Sequence, residues 1–303
     1  MKIFALFILS LLSLNCLMAP SVRADEKPAP IEKPASVTVG FIPGGDVEGT
    51  KRGALLIAEA IQQELKIPVN VYVSRNYSSL IQAMKDKKVD FAFFNAMTFV
   101  FAENMAGAKV LLKKVWNEPY YYSMILVKKS SDIHSLKQLK GKRLAFVDEK
   151  STSGYLYPLV HFKKIKLELK DLKAIEFSGS HSESVELLDH GAVDAIAVFS
   201  NDKRIKESAY VKYSKTKNPA DNVRMLWTSS PIPNDPFCVR QDFYDQYPKL
   251  THELMFALID IVDKLKDKKE IQDFVGAKGF VPATTRQYDP VREMVKELNL
   301  KLE

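Results

Sequence analysis

The sequence is poor in the residues that could cross-link it or hold a metal. Two cysteines occur in 303 residues, Cys16 and Cys238. Cys16 falls in an N-terminal apolar run expected to be removed, so Cys238 remains alone and no internal disulfide can form. A chain of this size buries enough core to need none. The five histidines, His134, His161, His181, His190 and His252, show no ligand spacing. One cysteine is too few for a structural zinc site, so neither metal nor cofactor is expected. Blocks of like charge are also missing: 44 basic and 37 acidic residues are interspersed, for a formal charge of +7. That speaks against a nucleic-acid footprint and leaves a modestly basic surface that would attract an anion or a membrane face. After the first dozen residues no apolar run reaches the length of a bilayer span.

The N-terminus is the clearest local signal. Lys2 precedes an apolar core at 3–12, and Val22-Arg23-Ala24 supplies the small-residue pattern read by a signal peptidase. Residues 1–24 are therefore expected to be a cleaved signal peptide, and the mature protein soluble and periplasmic. The apolar run is short for an anchor. Ser13 and Asn15 make a poor lipidation context for Cys16. Residues 25–35 carry three prolines among alternating charges and read as a disordered leader.

Structure is expected from residue 36. Strands are predicted at 36–41, 69–73, 89–94, 121–128, 143–147, 174–177 and 194–199. Helices are predicted at 51–65, 78–85, 154–164, 182–189, 250–266 and 289–298, with a Gly44-Gly45 turn after the first strand. Alternating strands and helices indicate an α/β architecture with largely parallel sheets. An internal echo suggests two similar units. Residues 81–92 and 185–196 each read as helix, short turn, Val-Asp (Val89-Asp90 and Val193-Asp194) and apolar strand.

The chemistry concentrates at strand–helix junctions, where ligands bind in open α/β sheets. Ser151-Thr152-Ser153-Gly154 follows one predicted strand and opens a helix. Unpaired N–H groups, the helix dipole and three hydroxyls suit an oxyanion. Ser and Thr are also ordinary helix caps, and one of the three is expected to serve as one. His181 stands at the next junction, beside a run of serines that would cap its helix. It is read either as a hydrogen-bond donor to an anion or as a surface histidine. Asp235, in Pro231-Ile232-Pro233-Asn234-Asp235-Pro236, caps a turn or accepts a hydrogen bond from a protonated ligand oxygen or an amine. Tyr77 and the run Tyr120-Tyr121-Tyr122 are compatible with half-buried packing.

Taken in order, these segments resemble the phosphonate- and phosphite-binding periplasmic proteins of ABC importers, over roughly residues 36–300. The Ser-Thr-Ser-Gly and Pro-Asn-Asp-Pro segments carry the likeness. The resemblance implies a two-lobed type 2 periplasmic-binding fold with a two-segment hinge. Lobe one would comprise 36–124 and 236–303, and lobe two 125–235. It places contacts to a phosphorus oxyanion on Ser151, Thr152, Ser153, His181, Tyr77 and Asp235, with Tyr121 as the further tyrosine and Thr98 as a hydroxyl near the cleft. Where relatives that bind aminoethylphosphonate resemble one another in a glutamate, this sequence has Asn201, with Asp202 next to it. A ligand without an amine is therefore expected: phosphite, methylphosphonate or phosphate. The implied partners are the membrane subunits of the transporter. A sensing protein of the same fold, docking on a membrane receptor, is the alternative. A serine hydrolase is disfavoured because Ser153-Gly154 lies in no Gly-x-Ser-x-Gly elbow and no base is identifiable by spacing; no lysine or arginine is indispensable to the proposed anion site.

Overall fold

A computed structural model describes residues 33–42, 47–265, 267–268, 271 and 277–301. The signal-peptide reading, Cys16, most of the leader and the Gly44-Gly45 turn lie outside the described residues. The first series of elements is β1 (Val37–Phe41), α1 (Val47–Leu65), β2 (Val69–Val73), α2 (Tyr77–Lys85), β3 (Phe91–Phe93), α3 (Ala96–Ala106) and β4 (Ala108–Val115). The second is β5 (Tyr120–Lys128), β6 (Arg143–Phe146), α4 (Tyr157–Lys164), β7 (Ala174–Phe177), α5 (His181–Asp189), β8 (Ala195–Ser200), α6 (Ala209–Tyr213), α7 (Pro219–Asn222), β9 (Val223–Thr228) and β10 (Ile232–Pro233). The chain closes with β11 (Pro236–Arg240), α8 (Gln241–Gln246), α9 (Pro248–Leu265), β12 (Gly279–Pro282) and α10 (Asp289–Glu297).

The strands form two six-stranded sheets. The first has the order β12-β4-β11-β3-β1-β2. The second runs β10-β5-β8-β6-β7, with β9 also paired to β5. Parallel pairing is confined to β3-β1-β2 and β8-β6-β7; the remaining pairs are antiparallel. The antiparallel partners are the strands next to the crossings between sheets. The chain crosses at 116–119 and returns at Asn234-Asp235. β5 pairs only within the second sheet from Tyr120 onward, so the first crossing lies upstream of the expected 124/125 division. The two crossings lie side by side, with the Asn234 N–H donating to the Pro119 carbonyl at 3.2 Å.

The internal echo has one structural role in both sheets. Asp90 accepts the Thr38 N–H at 2.9 Å, and Asp194 accepts the Arg143 N–H at 2.8 Å. Each aspartate thus ties the start of its own strand, β3 or β8, to the neighbouring parallel strand, β1 or β6, and each pairs with an arginine, Arg240 or Arg143. A half-buried carboxylate satisfied by an N–H and a guanidinium holds strand register without an orphaned charge.

Helices cover both faces of each sheet. In α1 the buried residues Ala54, Ile57, Ala58, Ile61 and Leu65 follow the helical period, and all but Ala58 share a cluster with α9 and the rings of Phe41, Phe93 and Phe237. Leu55, apolar and inside the same predicted stripe, points outward at 44% exposure. The opposite face is closed by α2, α3 and α10. There Leu80, Phe99, Tyr288 and Val291 share a cluster with Leu156, Tyr157 and Val160 from the second series. Burial of each large apolar side chain stabilises this junction by about 1.5–3 kcal/mol. Among the described residues no helix is long and apolar enough to cross a membrane, and no group of three or more metal-ligating side chains converges.

Candidate functional site

The turn after β6 is shaped by a steric constraint. A Cβ on Gly154 would lie 2.5 Å from Cγ2 and 2.7 Å from Cβ of Val147, and 2.8 Å from Oγ of Ser151. The close approach lets the Ser151 hydroxyl accept the Gly154 N–H at 3.0 Å, so Ser151 is the cap expected of one of the three hydroxyls. The helix predicted from Gly154 does not begin there. Thr152–Leu156 forms a wider π turn, with Leu156 N–H on Ser151 C=O and Tyr157 N–H on Thr152 C=O, and α4 starts at Tyr157. Such turns recur at functional sites because they aim backbone and side chains away from a regular helix axis.

Thr152 joins the two series. Its Oγ1 accepts the Met97 N–H from the first turn of α3 at 2.8 Å and donates to Asn95 Oδ1 at 2.9 Å. Asn95 also accepts the Thr98 N–H at 2.8 Å and donates through Nδ2 to the Lys150 carbonyl at 3.1 Å. Asn95 is therefore at once the cap of α3 and the partner of the serine-threonine turn. Thr98 is consumed by that cap: its hydroxyl accepts from Asn95 N–H and donates to Asn95 C=O, and it is fully buried. Thr98, which the resemblance places as a hydroxyl near the cleft, is thus committed to the capping box of α3.

Three aromatic residues surround the turn. Burial raises the Tyr77 phenol well above its ordinary value, Asp148 and Asp235 add to the rise, and the Ser151 and Asn95 side chains oppose it. Burial also raises Tyr121, with a further push from Asp235 and an opposing bond with Thr152. Both phenols stay protonated and can donate. Of the three consecutive tyrosines, Tyr121 is the one facing inward at 6% exposure; Tyr120 is exposed. The third ring, Tyr288, donates to the Asn234 carbonyl at 2.8 Å and is raised by burial, with Asp235 contributing.

Asp235 sits where the chain returns to the first sheet. Its carboxylate is 3.3 Å from the Lys114 ammonium, and its backbone N–H donates to Asn234 Oδ1 at 3.1 Å. Among the described residues the Asn234 Nδ2 is buried without a partner. An orphaned buried amide costs about 1–3 kcal/mol, which an acceptor on a ligand would offset. Ser153 is buried, and its carbonyl accepts from the Ser123 hydroxyl at 2.6 Å. Tyr77, Tyr121, Ser151, Thr152 and Asp235 are thus gathered from both sheets.

His181 and Asn201 stand apart. His181 opens α5 and packs edge-on against Phe199 at 4.9 Å. Among the described residues no hydrogen bond joins it to the Ser151–Ser153 segment. Burial, then Lys212, lowers its imidazole to about 3, so it is neutral rather than charged at working pH. The unfolded chain takes up a proton below about 6.5 while the folded chain does not, so stability falls as pH drops from there toward 3, by at most ~1.4 kcal/mol per unit. Urea melts at about pH 7 and pH 4.5 are expected to show a shallower acid loss in His181→Asn than in the parent. An equal loss would contradict the burial of a neutral ring. Asn201 donates its backbone N–H to the Glu207 carbonyl at 3.0 Å. Asp202 is spent within the same loop, accepting from Ser200 Oγ and from the Arg204 N–H.

Sequence reasoning missed Asn95, Asn234 and Lys114. Asn95 had a signal: Asn-x-x-Thr directly after a strand is a capping box, and the same pattern recurs at Asn76 and Ser79. Lys114 had none, since only the β4–β11 register brings it to Asp235.

A family model described as "ABC transporter, phosphonate, periplasmic substrate-binding protein" matches residues 39–288. A probable ABC transporter phosphite binding protein, PhnD1 of Prochlorococcus marinus (strain MIT 9301), is 26% identical over 275 residues, covering 88% of this chain and 91% of that protein. The phosphonates-binding periplasmic protein of Escherichia coli (strain K12) is 24% identical, covering 94% of this chain and 81% of that one. The solved structure of the Prochlorococcus protein in complex with methylphosphonate superposes with a TM-score of 0.76 at 24% identity, covering 88% of this chain and 99% of that chain. A binding-protein component of an ABC phosphonate transporter from Pseudomonas aeruginosa gives a TM-score of 0.70 at 21% identity, covering 86% and 85% of the two chains.

Proposed function

This chain belongs to the periplasmic substrate-binding protein family of ABC phosphonate transporters, and from that premise we propose that it captures a small phosphorus oxyanion between Ser151, Thr152 and Ser153 on one side and Tyr77, Tyr121 and Asp235 on the other. The observation that carries this reading is the Thr152 hydroxyl. It already accepts a backbone N–H from the first turn of α3 while standing on the turn at the head of α4. An oxyanion in that position is held by neutral donors from both sheets, and each charge-assisted hydrogen bond contributes roughly 1.5–3 kcal/mol. Two lobes, meeting at the crossings 116–119 and 234–235, close about the anion. His181 serves as a neutral donor from α5, and Asn201 provides no charge for a ligand amine. The ligand is retained without turnover and passed to the membrane subunits. The protein is exported, with cleavage after Ala24.

A thermal-shift panel tests the reading. Phosphite and methylphosphonate at about 100 times Kd are expected to stabilise by ~2.7 kcal/mol, which for a chain of this size raises Tm by roughly 5–10 °C. Aminoethylphosphonate and sulfate are expected to give clearly smaller shifts, the first because Asn201 cannot pair its ammonium. A panel in which no phosphorus oxyanion moves Tm overturns the assignment.

A further inference from the structure

Asp235 poses a problem for an anion site, since a carboxylate there repels the charge the site is built to hold. The groups that face it are Tyr77 from α2, Tyr121 from β5, Tyr288 ahead of α10, and Lys114 from β4. The three phenols carry no charge. Among the described residues, Lys114 is the cation in ion-pair contact with Asp235. Its stem is held in place: the Lys114 N–H donates to the Asp235 carbonyl at 3.0 Å, and the ammonium lies 5.7 Å from the centre of the Phe93 ring. With side chains 15% and 31% exposed, the pair is partly shielded from solvent. It also spans neighbouring strands, β4 and β11, where the chain leaves the first sheet and where it returns.

We propose that Lys114 is a positioning residue of the anion site: its ammonium neutralises Asp235, so that the carboxylate accepts a hydrogen bond from a protonated ligand oxygen instead of expelling the anion. The inference rests on the phosphorus-oxyanion reading and deepens it. It makes the site selective for monoprotonated oxyanions, which keep an O–H for Asp235, over fully ionised ones such as sulfate, which do not. Without Lys114, an anion can settle beside Asp235 only if the carboxylate first takes up a proton.

The consequence is a proton count, which a merely structural lysine would not change. Between about pH 5 and 6.5 methylphosphonate is a monoanion, and its affinity for the parent protein is expected to be flat, with no net proton taken up. For Lys114→Met the affinity is expected to fall ~30–100-fold at the upper end of that range and to recover as pH falls, by up to tenfold per unit, as binding draws a proton onto Asp235. Calorimetric titration in two buffers of different ionisation enthalpy should then read close to one proton per ligand. Lys114→Arg should restore affinity to within ~3-fold with no proton uptake. The double variant Lys114→Met/Asp235→Asn should also take up none. If methionine disturbs the fold, Lys114→Gln, which keeps a polar end, is measured in its place. Parent-like affinity in the neutral variant overturns the inference. So does weakening that is flat with pH, free of proton uptake and not rescued by arginine. Failure of the parent itself to bind methylphosphonate or phosphite overturns the oxyanion reading, and this inference with it.

Discussion

Thr152→Val is expected to weaken capture of methylphosphonate by about 30–1,000-fold, equivalent to ~2–4 kcal/mol, while the ligand-free protein loses only the ~1–3 kcal/mol of an orphaned buried N–H. Valine preserves the shape of threonine and removes both of its polar roles. The Met97 N–H loses its acceptor, and Asn95 Oδ1 loses one donor. Asn95 keeps its bond to the Thr98 N–H, so α3 retains its cap. The lost bonds join α3 to the turn ahead of α4 and are not internal to either sheet, so their removal penalises closure more than folding. On binding, the single Thr152 proton would turn from Asn95 Oδ1 to the anion, and valine removes that donor as well. Thr152→Ser keeps the oxygen and should bind within ~3-fold of the parent. Isothermal titration with a parallel urea melt separates the two effects. Unchanged affinity in the valine variant would remove Thr152 from the site, and a large loss of stability would make it a folding residue.

Where the sequence was informative, it was so through local periodicity. The strand–helix alternation, the helical face of α1 and the strand at β6 all follow from neighbouring residues, as does the duplicated Val-Asp element, whose two aspartates bond the neighbouring parallel strands β1 and β6. Ser151 was readable as a cap because a serine before a helix has few other uses. What stayed hidden depends on residues far apart in the chain. Lys114 reaches Asp235 across 121 positions, and only the pairing of β4 with β11 brings them together. The sharing of Asn95 between its own helix and Thr152 spans 57 positions. His181 was open to a surface reading because its packing against Phe199 and the nearness of Lys212 have no local signature. Leu55 shows the converse: it satisfied the apolar pattern of α1 but faces solvent. The π turn at Thr152–Leu156 was read as plain helix because its cause, the contact between Gly154 and Val147, also requires the third dimension.

That contact supports the most severe change expected in this protein. Gly154→Ala should cost ~3 kcal/mol of stability or more and lower Tm by roughly 6–12 °C, with affinity reduced at least ~100-fold. The constraint is space rather than backbone conformation, since the new Cβ would meet Val147 Cγ2 at 2.5 Å and Cβ at 2.7 Å. Neither side can yield cheaply. Val147 is fully buried and β-branched, so its χ1 is stiff, and the Val147 N–H donates to the Gly154 carbonyl at 3.2 Å. Ser151 Oγ, at 2.8 Å, would also be pushed off the N–H it caps. Relief must come from moving the turn, and the turn carries Ser151, Thr152 and Ser153. Val147→Ala by itself leaves a cavity and should cost ~1–3 kcal/mol. In the double variant Val147→Ala/Gly154→Ala the added and removed methyl groups offset each other, so the combined loss should be smaller than the sum by at least ~1 kcal/mol. Additive losses in urea melts would show that Gly154 is constrained by something other than Val147. Recovery of stability without recovery of methylphosphonate affinity would show that the turn must hold its hydroxyls within tenths of an ångström to bind.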